Sequence, residues 1–270
     1  MSTPIPIDDP ADPRLADYVA VRERDLVGRR GRFVAEGEVV LRLLLSPRAR
    51  FPVESVLISP ERLPGLAAVL EPPAVPVYVA SRAVMQAVAG FPIHRGVLAI
   101  GRRGDDPDPD ALVPDGPALL VGLVGLANHD NVGGVFRCAA AFGADAVVLD
   151  AATCDPLYRK AIRVSAGTAL TVPFGRVASA DDLLALCARH ALEPVALSPG
   201  GAEDLAALPP LPRALLLLGT EGAGLPEAVM ARARRVRIAM APGVDSLNVA
   251  VAGAVALHRL AGGRLRGGEG

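Results

Sequence analysis

The chain has 270 residues and a formal net charge of −1 at pH 7, with 51% hydrophobic and 21% charged residues. This composition is typical of a soluble globular protein with one large or two smaller domains, and the near-zero net charge, taken alone, argues against nucleic-acid binding. Aromatic residues make up 3% and Trp is absent, so the core must consist mainly of Leu, Val and Ala.

Neither cysteine chemistry nor membrane insertion is predicted. Cys138, Cys154 and Cys187 are widely spaced and form no C-x-x-C pair, which favours small core residues over disulfides or a zinc site. The N-terminus has no basic and apolar leader, and the apolar stretch 249–263 is too short to span a bilayer. We therefore expect a cytoplasmic protein that binds no metal and no membrane.

The first hundred residues predict a small α/β domain. A helix is expected over 14–31, and a strand, a turn at Gly37 and a helix over 32–47, which Pro47 ends. The remaining elements are expected in the order strand 53–59, strand 75–81, helix 81–90 with Ser81 as its cap and Gly90 after its end, and strand 97–102.

A second domain is predicted after a linker rich in Pro, Gly and Asp at 104–117. The boundaries are thus 1–103 and 118–270. Strands alternate with helices in the second domain, which predicts a mostly parallel sheet with ligands at the carboxyl ends of its strands. Its elements are expected at 119–126, 132–142, 145–149, 180–191, 194–198, 214–219 and 235–240, with a final helix within 245–260 that is apolar nearly all round and so buried on both sides.

Residues 119–150 also permit a different interpretation. A glycine turn, a helix of small residues and a strand ending in Asp150 are typical of a dinucleotide-binding unit, which would make the protein an NAD(P)-dependent oxidoreductase. The fingerprint G-x-G-x-x-G is absent, because only Gly133 and Gly134 stand in the turn.

Three polar segments follow strands of the second domain in order. In the first, Asn131 precedes Arg137 by six residues. The second is GTEGAGLP (219–226), whose glycines let the main chain approach a ligand and whose Glu221 is a carboxylate in an apolar neighbourhood. The third is DSLN (245–248), which precedes the final helix, and Asp245 or Ser246 is expected to cap that helix.

Together these segments resemble the SpoU/TrmH family of RNA 2′-O-ribose methyltransferases of the SPOUT class, over about 117–262. The resemblance implies a C-terminal trefoil-knot domain with a mostly parallel sheet, preceded by a small ribosomal-protein-like α/β substrate-binding domain. It also implies methyl transfer from S-adenosylmethionine to a ribose 2′-hydroxyl of tRNA or rRNA by a homodimer. One departure is local: Asn128 and His129 stand where many members have Asp-Pro. A non-catalytic RNA-binding protein with a knotted fold is a further alternative.

The resemblance assigns roles to individual residues. The catalytic residues that it implies are Arg137, Asn131, Glu221, Ser246 and Asn248. The residues that it places at the cofactor are Gly219, Thr220, Ile238, Met240 and Leu247. The candidates for RNA binding are Arg22, Arg29, Arg30 and Arg32, from the densest basic cluster of the chain, and Arg159 and Arg163, from the segment RKAIRVSAG (159–167).

Overall fold

The computed structural model describes residues 3–19, 27–28, 31–71, 75–90, 93 and 95–262. The strands of this part of the chain are β1 (Ile5–Ile7), β2 (Arg32–Glu36), β3 (Val53–Ile58), β4 (Val77–Ala80), β5 (Val97–Arg102), β6 (Ala118–Leu123), β7 (Ala146–Leu149), β8 (Phe174–Arg176), β9 (Glu193–Leu197), β10 (Glu203–Asp204), β11 (Arg213–Leu218) and β12 (Arg234–Arg237). Its helices are α1 (Glu38–Leu44), α2 (Leu63–Leu70), α3 (Arg82–Ala89), α4 (His129–Ala141), α5 (Arg159–Val164), α6 (Ala180–Arg189), α7 (Glu227–Met230) and α8 (Val249–Ala261).

The chain forms two compact units. Unit 1 consists of Met1–Asp105 and Pro156–Thr171, and unit 2 of Asp106–Asp155 and Val172–Gly270. Within its described residues, unit 1 is built on a mixed sheet in the order β1-β4-β3-β5-β2. The predicted strand, turn and helix are present, because β2 leads through Gly37, at a φ of 99°, into α1. Half of the residues of the helix predicted over 14–31 lie outside the described residues, and Pro13–Leu15 form a 3-10 turn.

The caps predicted for α3 are confirmed. The Ser81 hydroxyl accepts a hydrogen bond from the backbone N–H of Val84, and Gly90 follows the helix in the left-handed conformation, at a φ of 69°. Ser81 therefore satisfies a donor that the first turn of the helix leaves unpaired, and Gly90 reverses the chain without a Cβ to obstruct it.

The segment 156–171 packs in unit 1, although the sequence pattern placed it in the second domain. Its helix α5 contacts β2, and Arg159 Nη1 lies 2.6 Å from Oε2 of Glu36, whose side chain is only 4% exposed. The buried Ser165 donates its hydroxyl to the carbonyl of Ile162 at 2.9 Å, which closes the end of α5. A buried carboxylate requires a cationic partner, and the alternation of strands and helices along the sequence does not reveal which segment supplies it.

Unit 2 has a parallel sheet in the order β10-β12-β9-β11-β6-β7-β8, and every described strand pair in it is parallel. The predicted α/β class with a mostly parallel sheet is confirmed. Because the strands run in one direction, their carboxyl ends lie along one edge of the sheet. The adjacent strands β12, β9, β11 and β6 bring four loops to that edge, namely 238–248, 198–202, 219–226 and 124–128.

The acidic segment predicted as a linker is packed into unit 2. Asp110 accepts hydrogen bonds from Nε and Nη2 of Arg189 at 2.9 and 2.8 Å, and its Oδ1 lies 2.6 Å from Nε2 of His190. The guanidinium of Arg213 donates to the carbonyl of Pro114 at 2.9 Å. The segment is therefore anchored to the end of α6 and to β11 through its side-chain and main-chain groups. Its composition alone suggests that these groups are solvated.

The Asp110 cluster predicts a dependence of stability on acid. Hydrogen bonds from Arg189 and then from His190 lower the pKa of Asp110 from 3.8 to about 2. A carboxyl whose pKa is lower in the folded state stabilises the fold above its unfolded pKa, and this contribution is lost as the pH falls from about 4 to about 2. We expect Asp110→Asn to cost less than about 1 kcal/mol at pH 7, because the pair is partly exposed. Urea unfolding at pH 7 and pH 3 should show the variant losing less stability on acidification than the wild type.

The final helix differs from its prediction in two respects. Its N-cap is Asn248, not Asp245 or Ser246. It is also not buried all round, since Val251 and Val255 are 51% and 42% exposed on one face. The opposite side packs on α4, where a Cβ on Gly134 would lie 2.7 Å from Cβ of Ala250. Among the described residues, no helix has the length and apolar character needed to cross a membrane.

Candidate functional site

The side chain of Asn248 joins the three polar segments. Its Nδ2 donates to Oδ1 of Asn131 at 2.8 Å and to Oε1 of Glu221 at 3.1 Å. Its Oδ1 accepts from the backbone N–H groups of Ala250 and Val251 at 2.9 and 3.3 Å, which caps α8. These backbone donors fix the amide orientation, because only the oxygen can accept them. One residue therefore caps α8 and joins the first turn of α4 to the loop that follows β11.

The first segment is positioned by the start of α4. Asn131 lies in the first turn and is only 5% exposed, so its contact with Asn248 is shielded from water. Asn128 caps the helix by accepting from the backbone N–H of Asp130 at 2.9 Å. The departure from the family's Asp-Pro is thus compatible with an ordinary N-cap at this turn.

The second segment is a tight loop made possible by glycine. Thr220 and Gly224 exchange backbone hydrogen bonds of 3.2 and 3.1 Å, which fold the chain back on itself. A Cβ on Gly219 would lie 2.4 and 2.5 Å from the carbonyl carbon and oxygen of Gly224. Only glycine allows the two stretches of main chain to approach this closely. Glu221 lies exposed at the turn, where the Asn248 amide binds it.

A cavity of about 350 Å³ opens beside these loops. Its wall includes the five residues that the resemblance placed at the cofactor, and also the polar residues Glu221, Ser246 and Asn248. The wall further contains Leu197, Ser198 and Pro199, which the sequence interpretation missed. Their position at the end of β9 and just after it, at the carboxyl edge of a parallel sheet, was the signal that could have identified them. The structure thus gathers the predicted cofactor residues around a single space.

Arg137 lies apart from this cavity wall. It is exposed on α4, six residues beyond Asn131, and it does not line the cavity. Within the described residues, no hydrogen bond or ion pair engages its guanidinium. An exposed arginine without such a partner keeps its donors available for an external anion.

Asp150 does not serve as the ribose-binding acid of a dinucleotide unit. Its carboxylate, in a residue 7% exposed, accepts from the backbone N–H of Gly125 at 3.0 Å and from both the backbone N–H and the hydroxyl of Thr153, at 2.9 and 2.7 Å. These bonds occupy the carboxylate and hold the loop after β6 in place. The group that favoured an oxidoreductase therefore has a structural role. Elsewhere, the described residues contain no group of three or more His, Cys, Asp or Glu arranged to hold a metal ion.

The predicted RNA-binding arginines have different surroundings. Arg22, Arg29 and Arg30 lie outside the described residues. Arg32 pairs with Glu54 and Asp17, and Arg159 with the buried Glu36, so a phosphate would compete with carboxylates there. Arg163 is exposed on α5 in unit 1. RNA binding by these arginines stays a prediction.

Comparison with known proteins relates this chain to RNA methyltransferases. Residues 118–258 match the model of the SpoU rRNA Methylase family. A protein of Mycobacterium bovis described as an uncharacterized tRNA/rRNA methyltransferase is 39% identical over 260 residues, which is 93% of this chain and 89% of that protein. The match extends over both units.

Solved structures share the fold over almost the whole chain. The SpoU methyltransferase AviRb of Streptomyces viridochromogenes, in complex with AdoMet, aligns with a TM-score of 0.81 at 24% identity, covering 94% of this chain and 98% of that one. A structure described as an RNA 2′-O ribose methyltransferase aligns with a TM-score of 0.76 at 27% identity, covering 97% and 100%. At 24% identity, the similarity to AviRb shows that the fold is shared and nothing more.

Proposed function

The chain belongs to the SpoU rRNA methylase family, and on that basis we propose that it transfers a methyl group from S-adenosylmethionine to a ribose 2′-hydroxyl of a structured RNA. The observation that carries this proposal is the meeting of three polar segments at Asn248, beside a cavity walled by main chain and small residues. The family membership sets aside the oxidoreductase alternative, which the occupied carboxylate of Asp150 had already weakened.

The cavity suits S-adenosylmethionine in its chemistry. Leu197, Ile238 and Leu247 provide apolar surface for a purine, and the glycine-rich loop exposes main-chain groups for its polar edges. Glu221 places a carboxylate in the cavity wall, where it attracts a positively charged ligand. When bound, the cofactor supplies an electrophilic methyl group, so the protein has to provide orientation and charge stabilisation.

The proposed role of Arg137 is to bind the target phosphate and stabilise the developing alkoxide. A ribose hydroxyl is a weak nucleophile and must lose its proton as it attacks. A guanidinium stays protonated in an ordinary site and does not act as a base there, whereas it stabilises anions well. The exposed guanidinium of Arg137, unpaired with other described residues, fits that task. Glu221 or the substrate phosphate then accepts the proton, either directly or through the hydroxyl of Ser246, which passes on its own proton as it takes the new one.

Asn248 acts in this proposal by holding Glu221 and Asn131 in fixed positions relative to each other. The substitution Asn248→Asp tests this role. The aspartate keeps an oxygen that accepts from Ala250 and so keeps the helix cap, but it replaces the N–H donor with an acceptor. We expect methyl transfer to fall at least about tenfold, because two acceptors then face each other without a proton between them. Single-turnover assays measure this, with thermal unfolding as the control for the cap. Wild-type turnover in the variant would contradict the linking role.

We further propose that the enzyme is a homodimer, with a trefoil knot in unit 2 and RNA contacts that include unit 1. The exposed apolar face of α8 supports the dimer, since Val251 and Val255 lose contact with water if a second copy covers them. Sedimentation at micromolar concentration tests it. A monomer there would contradict the proposal.

Transfer of radiolabelled methyl from S-adenosylmethionine tests the activity. Unmodified tRNA and rRNA are offered separately, and the product is digested with alkali. A labelled alkali-resistant dinucleotide would support 2′-O-methylation and identify the substrate class. Cofactor binding without transfer to either RNA or to a ribosomal particle would favour a non-catalytic RNA-binding protein.

A further inference from the structure

We propose that Arg237 is a positioning residue for the cofactor cavity, because it fastens the loop 198–202 that supplies one of its walls. None of the three polar segments contributes this wall. Leu197, Ser198 and Pro199 line the cavity; Leu197 ends β9, and Ser198 and Pro199 lie between β9 and the residues that Arg237 binds. The inference rests on the proposed binding of S-adenosylmethionine in this cavity.

The loop is attached to β12 through its main chain. Nη1 of Arg237 donates to the carbonyls of Gly201 and Ala202, both at 3.0 Å. The backbone N–H of Ser198 donates to the carbonyl of Val236 at 2.9 Å, and that of Gly201 returns to the carbonyl of Ser198 at 3.0 Å. Two of these bonds come from one nitrogen of the Arg237 guanidinium, which therefore restrains two consecutive carbonyls at once.

Close packing at Gly201 adds an independent constraint. A Cβ on Gly201 would lie 2.5 Å from the carbonyl carbon of Val236 and 2.6 Å from the nitrogen of Arg237. The loop therefore rests directly on the backbone of β12 at this residue. The neighbouring Gly200 is different, because a Cβ there meets nothing within 4 Å.

Arg237 is distinguished from the other arginines of its strand by what it binds. Arg234 pairs with Glu203 at 2.6 Å, and Arg235 with Glu227 at 3.4 Å. Arg237 has no carboxylate partner among the described residues, and its guanidinium donates hydrogen bonds to main-chain carbonyls instead. The next residue, Ile238, lines the cavity, so the chain passes directly from Arg237 into the cavity wall.

The consequence is a cavity wall whose order depends on Arg237. A loop that is already ordered loses less conformational entropy when a ligand binds. This strengthens binding without any new contact to the ligand. Loss of the guanidinium should therefore weaken cofactor binding. It should leave the chemical step unchanged once the cofactor is saturating, because Arg237 touches neither the cavity nor the polar segments.

Calorimetric titration of the full chain with S-adenosylmethionine tests this, together with methyl transfer at saturating cofactor. We expect Arg237→Ala to raise the Kd about tenfold with kcat within about twofold, since charged hydrogen bonds to the loop are lost. Arg237→Lys, which can still reach a carbonyl, should recover part of the affinity. Arg235→Ala removes the same side chain from the same strand and should retain the wild-type Kd.

A second pair of variants, at Gly201 and Gly200, tests the attachment of the loop without changing Arg237. Gly201→Ala should raise the Kd as Arg237→Ala does, whereas Gly200→Ala should retain wild-type binding. An unchanged Kd in Arg237→Ala would overturn the inference whatever Gly201→Ala shows, and so would a fall in kcat at an unchanged Kd. Failure of the wild-type chain to bind the cofactor at all would overturn the proposed function itself, and the inference with it.

Discussion

Replacing Arg137 with alanine should reduce methyl transfer by about 10²- to 10³-fold, the range typical for loss of a donor that stabilises a developing oxyanion. Cofactor binding should be unchanged, because Arg137 does not line the cavity. The fold should also tolerate the change. The side chain is exposed, and it makes no ion pair or hydrogen bond with another described residue that the substitution would break.

Two variants make this prediction specific. Arg137→Lys keeps the charge and loses the planar fork, so we expect turnover between that of alanine and wild type. Arg232→Ala removes an exposed arginine that pairs with Asp181 at 2.6 Å outside the site, and it should leave turnover unchanged. The measurement is single-turnover transfer at saturating cofactor, alongside calorimetric binding. Full activity in Arg137→Ala would remove this residue from the mechanism.

Gly219→Ala should abolish measurable cofactor binding, with a loss of affinity of more than about 100-fold, and destabilise unit 2 by about 1–3 kcal/mol. The added Cβ would lie 2.4–2.5 Å from the backbone of Gly224 and Leu225, so the main chain has to move. That movement breaks the paired hydrogen bonds between Thr220 and Gly224, which shape the cavity wall. Backbone cannot relax as the end of a flexible side chain can.

The same experiment includes its own controls. Gly222→Ala adds a Cβ into open space at a φ of 85°, so it introduces backbone strain of about 1–2 kcal/mol without a steric clash. Its affinity should lie between those of Gly219→Ala and wild type. Isothermal titration with S-adenosylmethionine and urea unfolding separate the two effects. Cofactor binding by Gly219→Ala at wild-type affinity would show that the loop is not part of the cofactor site.

Several elements were predictable because their causes are local. The strand, turn and helix around Gly37 and the caps of α3 at Ser81 and Gly90 follow from residue types that suit particular backbone conformations. The alternation of strands and helices in unit 2 indicated a parallel sheet, and its carboxyl edge carries the cavity. The resemblance placed five residues at a cofactor, and they line one space, although their contact with a cofactor stays a prediction.

Other features depend on partners distant in sequence. Asn248, rather than Asp245 or Ser246, caps α8, and its amide also binds Asn131, 117 residues away. The acidic segment before β6 is anchored by Arg189, which lies 79 residues from Asp110. No local pattern specifies such pairs.

Strand and helix periodicity, glycines and short motifs act over a few residues, so they indicated the fold class of unit 2 and the order of the polar segments, and the motifs carried the resemblance to the family. The tertiary structure then shows which side chains meet. It joined Asn131, Glu221 and Asn248, assigned Asp150 to the loop of Gly125, and moved the segment 156–171 into unit 1. The physical reason is that buried polar groups must find partners wherever the packed chain brings them, and the packing of distant segments is not written in the spacing of residues along the chain.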